Sequence, residues 1–195
     1  MNLKNVIKLI ALSFFIILLA SCGGKTYKGD FSFEIGDFTF TNQDGEQVSK
    51  GDLDGKFWVA SFIFTNCETV CPPMTANKAY LQQLLKDEGL DDVILVSFSV
   101  DPERDEPEVL KQYGEERGIQ FDQTVHFLTG YEYADIKEFS REYFKSDLAE
   151  EPDSDQISHT VSFFIVSPDG HAITRFDGTQ RAAMEEIVDF IKKSK

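Results

Sequence analysis

Cysteine is scarce in this chain, three in 195 residues, and so is basic charge, 19 Lys and Arg against 34 Asp and Glu. Three cysteines allow one pair and one thiol left over. The shortage of cations argues against nucleic acid, whose binding rests on neutralising phosphates with Lys and Arg. It also argues against an electrostatic hold on anionic lipid. An acidic surface suits attraction of cations or of a basic partner, or solubility alone, and charge does not choose between them. Internal repeats and low-complexity linkers are absent, and the length suits one domain with a full-sized core. Long apolar runs are absent too, apart from Leu9 to Ala20, broken only by Ser13 and slightly short of a spanning helix.

What is present begins with that run. Lys4 and Lys8 precede it and Leu19-Ala20-Ser21-Cys22 follows, the order of charge, apolar core and small-residue cleavage site of a secretory signal. The alternative is an uncleaved membrane anchor. Leu-Ala-Ser-Cys followed by Gly23-Gly24 resembles the bacterial lipoprotein signal, and the resemblance implies cleavage before Cys22 and lipidation of its sulfur. The expected organisation is a signal over residues 1–21, a lipidated tether over 22–30 and a folded domain over 31–195, held by lipid on the outer face of a bacterial membrane. Removing residues 1–21 takes two lysines and no acid, leaving 17 basic against 34 acidic residues.

With Cys22 assigned to lipid, Cys67 and Cys71 remain as a pair. A bridge between them would close a loop too short to remove much chain entropy, so the pair is poorly placed as a staple and better placed as a site. They follow Phe57 to Phe64, a nearly continuous apolar run expected of a strand buried on both faces. Pro72 suits the first turn of a helix running to about Asp87 and stopping near Gly89. Phe31 to Phe40 reads as a strand pair or an extended lead-in, and Asn42-Gln43-Asp44-Gly45 as a turn. Further strands are expected at 93–100, 127–128, 161–166 and 172–176, and further helices at 106–117, 133–144 and 181–193. This order predicts an α/β three-layer sandwich with a mixed central sheet, thioredoxin-like and peroxiredoxin-related, ending in a hairpin and a helix. In such sheets ligand chemistry sits beyond the carboxyl ends of the strands, where Cys67 and Cys71 fall.

A helix N-terminus stabilises thiolate, which favours Cys71 near the helix start. A three-residue spacer gives the sulfurs a bite wide enough to close on a metal. Two thiolates and an imidazole would form a soft, low-coordinate set suited to Cu(I), with the imidazole also admitting Cu(II). Zinc normally wants a fourth ligand, and none is evident. Three histidines are available, His126 beside a short strand, His159 before one and His171 after a tight turn, and spacing alone does not choose among them.

A family resemblance does. Phe64-Thr65-Asn66-Cys67 with Cys71-Pro72, then Ser99-Val100-Asp101-Pro102-Glu103-Arg104-Asp105, then Phe127-Leu128-Thr129-Gly130, then Ser158-His159-Thr160 and Ser167-Pro168-Asp169-Gly170 resemble the SCO/SenC family. The motifs run in family order over roughly residues 35–193. The resemblance implies a membrane-tethered, thioredoxin-like protein binding copper, Cu(I) or Cu(II), through Cys67, Cys71 and His159. It also implies delivery of copper to the dinuclear centre of cytochrome c oxidase subunit II, or reduction of that centre's cysteines.

One departure is Glu68, where many members have proline; an acid there would oppose the helix N-terminus and raise a neighbouring thiol pKa. Asp101 is a candidate to orient His159 or tune the site, with capping of its own loop as the alternative. Arg104 and Asp105 read as a surface or loop-fixing pair. Residues 147–155 carry five acids in nine positions and read as a solvated, mobile loop from which His159 would swing on and off copper. Two functions compete: a copper metallochaperone using both thiols and His159, and an extracytoplasmic thiol–disulfide oxidoreductase for which Cys67 and Cys71 would be the catalytic pair and His159 dispensable.

Overall fold

The apolar, β-prone runs do form the centre of the molecule. The computed structural model describes residues 27–195; Cys22, the signal over 1–21 and most of the tether lie outside the described residues. In chain order the elements are β1 (Phe33–Glu34), β2 (Thr39–Asn42), β3 (Gln47–Ser49), α1 (Lys50–Leu53), β4 (Trp58–Ile63), α2 (Cys71–Asp87), β5 (Ile94–Ser99) and α3 (Pro107–Glu115). They continue with β6 (Val125–Thr129), α4 (Tyr133–Tyr143), β7 (Ala149–Glu150), β8 (Ile157–Ser158), β9 (Ser162–Val166), β10 (His171–Asp177) and α5 (Ala182–Ser194). Eight strands form one mixed sheet in the order β1-β10-β9-β4-β5-β6-β2-β3, and β7 and β8 pair separately. Among the described residues no helix is long and apolar enough to cross a membrane.

Strands β4 and β5 are buried along their whole length, as their uninterrupted apolar character requires. They pair in parallel with Ser61 opposite Ser97 and Phe62 opposite Phe98. Because side chains alternate, these two pairs mark opposite faces. On the serine face lies α2, whose Lys78 reaches both hydroxyls, and α2 packs on α5. On the phenylalanine face Phe38, Phe40, Trp58, Phe98, Phe139, Phe144 and Phe164 form one cluster of mostly edge-to-face ring contacts, Phe139 coming from α4. Helices on both faces of a mixed sheet give the three-layer, thioredoxin-like sandwich expected.

Four short elements were not anticipated, two of them paired as one hairpin. Strand β3 has three residues, too few for alternation to show, and α1 follows it through a cap in which the Ser49 N–H donates to the Asp52 carboxylate at 2.8 Å. The third departure corrects the expectation of a free loop over residues 147–155. Ala149 and Glu150 pair with Ser158 and Ile157, so the acidic stretch is the tip of a small hairpin. Its acids point outward while the backbone pairs, which composition alone does not reveal.

Candidate metal centre

Strand β4 delivers the chain to Phe64, and a turn closed by the Cys67 N–H on the Phe64 carbonyl (3.4 Å) carries it to Cys67. Helix α2 starts at Cys71, with Pro72 and Pro73 filling its first turn. Those prolines remove two of the N–H groups that a helix start leaves without partners. The Cys71 N–H remains, and it donates to Cys67 Sγ at 3.3 Å. Both thiols are free and buried.

Strand β9 runs antiparallel to β4, with Trp58 opposite Val166 and Ala60 opposite Phe164. Continued past the last pair, this register carries His159 to the strand end where the cysteine loop departs. The imidazole Nε2 lies 3.1 Å from Cys71 Sγ. Nδ1 lies 2.8 Å from the Thr160 carbonyl, which can only accept, so Nδ1 carries the proton and the Nε2 lone pair faces the sulfurs. The ring also stands edge-on to Phe64 at 5.8 Å. The donor atoms of Cys67, Cys71 and His159 all lie within 4.8 Å of one another, the one such cluster of three among the described residues. Two sulfurs and one imidazole nitrogen fit the soft, low-coordinate preference of copper, and among the described residues no fourth His, Cys, Asp or Glu donor joins them to complete a zinc tetrahedron.

The two thiols differ sharply. The bond from the Cys71 side chain draws the Cys67 pKa well below the ordinary thiol range, against the opposing pull of burial. His159 and the backbone N–H groups of Cys71 and Thr69 add to the lowering. The same bond, then burial, pushes Cys71 well up, and the charge of Asp105 adds to it. The pair therefore loses its first proton from Cys67, and the exposed Glu68 does not reverse that. Iodoacetamide applied to the reduced, metal-free protein at pH 6 is expected to alkylate Cys67 about tenfold or more faster than Cys71. Peptide mapping by mass spectrometry checks it, and equal rates would show that the thiols share the proton evenly.

Asp101 does not hold His159. Its carboxylate lies 3.1 Å from Arg104 Nη1, and its carbonyl accepts the N–H groups of Arg104 and Asp105 at 3.1 and 2.9 Å. It caps its own loop, and the imidazole nitrogen it could have oriented faces Thr160 instead. The carboxylate behind the cysteines is Asp105, which is fully buried and not a surface pair with Arg104. Asp105 accepts from the Thr65 N–H at 3.2 Å, the Thr65 hydroxyl at 2.5 Å and the Ser99 hydroxyl at 2.6 Å. Its position one turn after Asp101, at the end of a buried strand, was the available signal. His126 is half-buried on β6, where burial lowers its pKa, and His171 bonds to Ser32; neither joins the cluster.

The SCO1/SenC family model matches residues 28–194. The chain belongs to the SCO1/SenC family. It is 41% identical to a SCO1 protein homolog of Bacillus subtilis strain 168 over 97% of each chain. Among solved structures, a SCO1/SenC family lipoprotein of Bacillus anthracis is 42% identical with a TM-score of 0.79, covering 83% of this chain and 95% of that one. BsSco, described with a disulfide switch and as a member of the Sco family of cytochrome c oxidase assembly proteins, is 42% identical with a TM-score of 0.77 over 87% and 98%. Arabidopsis thaliana ScoI with copper bound is 26% identical with a TM-score of 0.68 over 81% and 98%. In this SCO1/SenC chain the motif cysteines and the distant histidine meet at one end of the central strands β4 and β9, and the acidic hairpin borders them.

Proposed function

We propose that this protein is a membrane-anchored copper metallochaperone that assists assembly of the dinuclear copper centre of cytochrome c oxidase. The observation that carries the proposal is the convergence of Cys67, Cys71 and His159 donor atoms within 4.8 Å. Copper is cargo here. Cys67, already the more acidic thiol, and Cys71 would hold Cu(I) as thiolates, and Nε2 of His159 would add the nitrogen that Cu(II) favours. Cys71 gives up its proton on metal binding, so affinity rises with pH. The bacterial relative named a lipoprotein supports lipidation at Cys22 and an anchored, outward-facing domain. The copper-bound relative and the oxidase assembly relative support copper delivery to subunit II or a similar copper protein.

Copper titration of the reduced chain and of its His159→Ala variant tests the reading. One-to-one binding with a thiolate-to-Cu(II) absorbance band is expected, with Cu(II) affinity falling about a hundredfold or more in the variant, as loss of a metal ligand requires. Unchanged Cu(II) affinity would remove His159 from the site.

The asymmetry of the thiols supports a second reading, a thiol–disulfide oxidoreductase keeping a target's copper-site cysteines reduced. The Cys67 thiolate would attack the target disulfide, releasing one target thiolate; Cys71 would then displace the other as Cys67–Cys71 oxidises to a disulfide. Rapid exchange with a model disulfide, undiminished in His159→Ala and paired with weak copper binding, would favour it.

A further inference from the structure

His159 reaches the cysteines from a weakly founded support. The β7–β8 hairpin joins only two residue pairs and stands apart from the main sheet. Its base is anchored by Leu148, buried in the core, and by Ile157, packed against it, while a small set of polar contacts holds its tip over the cysteine loop. Gln156 Nε2 donates to the carbonyl of Asn66 at 3.0 Å, and the Glu68 N–H donates to Gln156 Oε1 at 3.5 Å. One amide side chain thus engages the backbone on both sides of Cys67. Beside it, Asn66 Nδ2 donates to the Asp155 carboxylate at 2.7 Å, and Arg104 Nη1 donates to the Asp155 carbonyl at 3.4 Å. Gln156 stands three residues before His159, joined to it by β8.

We propose that Gln156, assisted by Asn66 and Asp155, is a positioning residue that latches the His159 segment onto the cysteine loop and so decides whether the imidazole joins the thiols. This rests on the copper reading given above. The chemistry of position 156 is specific, because the contact needs a donor towards Asn66 and an acceptor towards Glu68. A neutral amide supplies both, whereas a carboxylate of the same length supplies only acceptors and would face the Asn66 carbonyl with charge. Solvent-exposed hydrogen bonds of this kind contribute little individually, so the latch can open while the fold stays closed. Cys71 is carried by α2, and Cys67 keeps its own bonds to the Phe64 carbonyl and the Cys71 N–H, so the thiols stay together when the latch opens. Opening would convert a three-donor site into a dithiol, which retains Cu(I) better than Cu(II).

The test uses the full chain, reduced and in detergent, with Gln156→Ala and the isosteric Gln156→Glu. In the metal-free protein, amide hydrogen exchange over residues 157–160 is expected to quicken about tenfold in both variants while α2 and β4 stay unchanged, the pattern of local opening. On titration with copper alone, Cu(II) affinity is expected to fall about tenfold, the effect of losing two such hydrogen bonds. Cu(I) affinity should change by less than about threefold because both thiolates remain. The nitrogen coupling in the Cu(II) electron paramagnetic resonance spectrum should weaken. Unchanged exchange at 157–160 overturns the latch whether or not copper binds, and so does faster exchange spread evenly over α2 and β4. Faster local exchange with unchanged Cu(II) affinity overturns its control of the ligand. If the unaltered chain fails to bind copper while the variants still open locally, the latch stands and the metallochaperone reading falls.

Discussion

Replacing Lys78 with Met is expected to stabilise the protein at pH 7, and the gain is expected to shrink and then reverse as pH rises. Lys78 is 1% exposed, inside the core on the serine face of the sheet. Its Nζ meets Ser61 Oγ at 2.8 Å, Ser97 Oγ at 2.6 Å and the Val96 carbonyl at 2.9 Å, and among the described residues no carboxylate pairs with it. The rings of Phe163 and Phe127 lie 5.3 and 6.0 Å away. Burial without a counter-charge drives its pKa well below 10.5, which favours the neutral amine in the fold. A neutral amine has two N–H donors and one lone pair, so it donates to the carbonyl and one hydroxyl while accepting from the other.

Holding a lysine below its ordinary pKa costs about 1.4 kcal/mol for each unit of depression, relative to an unfolded chain in which it titrates normally. Methionine of similar length avoids that cost and sets a polarisable sulfur near the two rings. Against it stands the loss of the Nζ hydrogen bonds, reduced because Ser61 and Ser97 already lie within 3.4 Å of each other. A net gain of about 1–3 kcal/mol at pH 7 is the expected balance. Between the folded pKa of Lys78 and 10.5 the unfolded state binds more protons than the folded state, so stability of the unaltered protein rises with pH across that window. The advantage of the variant should therefore fall by about 1.4 kcal/mol per pH unit. Urea unfolding of both reduced proteins at pH 7, 8.5 and 10 decides the matter, since a difference independent of pH would mean that Lys78 stays charged in the fold.

Asp105→Ala is the second large effect, expected to cost about 3 kcal/mol of stability. Three donors, the Thr65 N–H and the hydroxyls of Thr65 and Ser99, converge on this carboxylate. Alanine leaves all three without it, and Thr65 stands two residues before Cys67. Asp105→Asn keeps an acceptor for the N–H and lets a hydroxyl turn to accept from the new amide, so about 1 kcal/mol or less is expected. Burial raises the Asp105 pKa although its hydrogen bonds oppose this, so the folded state favours the protonated acid more than the unfolded chain does. That contribution to stability is full below pH 3.8 and is lost as pH rises through the folded pKa. In its charged form Asp105 helps to raise Cys71. Both variants should then shift the second thiol deprotonation to lower pH, read by thiolate absorbance in the ultraviolet. A shift in neither would confine Asp105 to a structural role.

The polar core residues show where sequence reading stopped. Lys78 lies seven residues after Cys71, in step with the buried Met74, Leu81 and Leu85 of α2, so its spacing did point inward. A lysine in that position reads as solvent-facing by its chemistry, and only the two serines opposite make its burial tolerable. Asp101 and Asp105 sit in one motif, and nothing local distinguishes the carboxylate that caps a loop from the one that enters the core. The acidic hairpin was hidden for a similar reason, because its composition describes side chains while its fold is decided by backbone pairing.

What the sequence determined alone was everything carried by local period and adjacency. The buried strands β4 and β5, the proline start of α2 and the placement of two cysteines at a strand's carboxyl end all follow from residues within a few positions of one another. The motif resemblance had singled out His159, but tertiary structure decided how it meets the thiols, which carboxylate stands behind them and what holds the hairpin tip over them. Cys71 and His159 lie 88 residues apart, as do Glu68 and Gln156. Such pairs are set by the antiparallel register of β9 on β4, a through-space relation that no local pattern encodes.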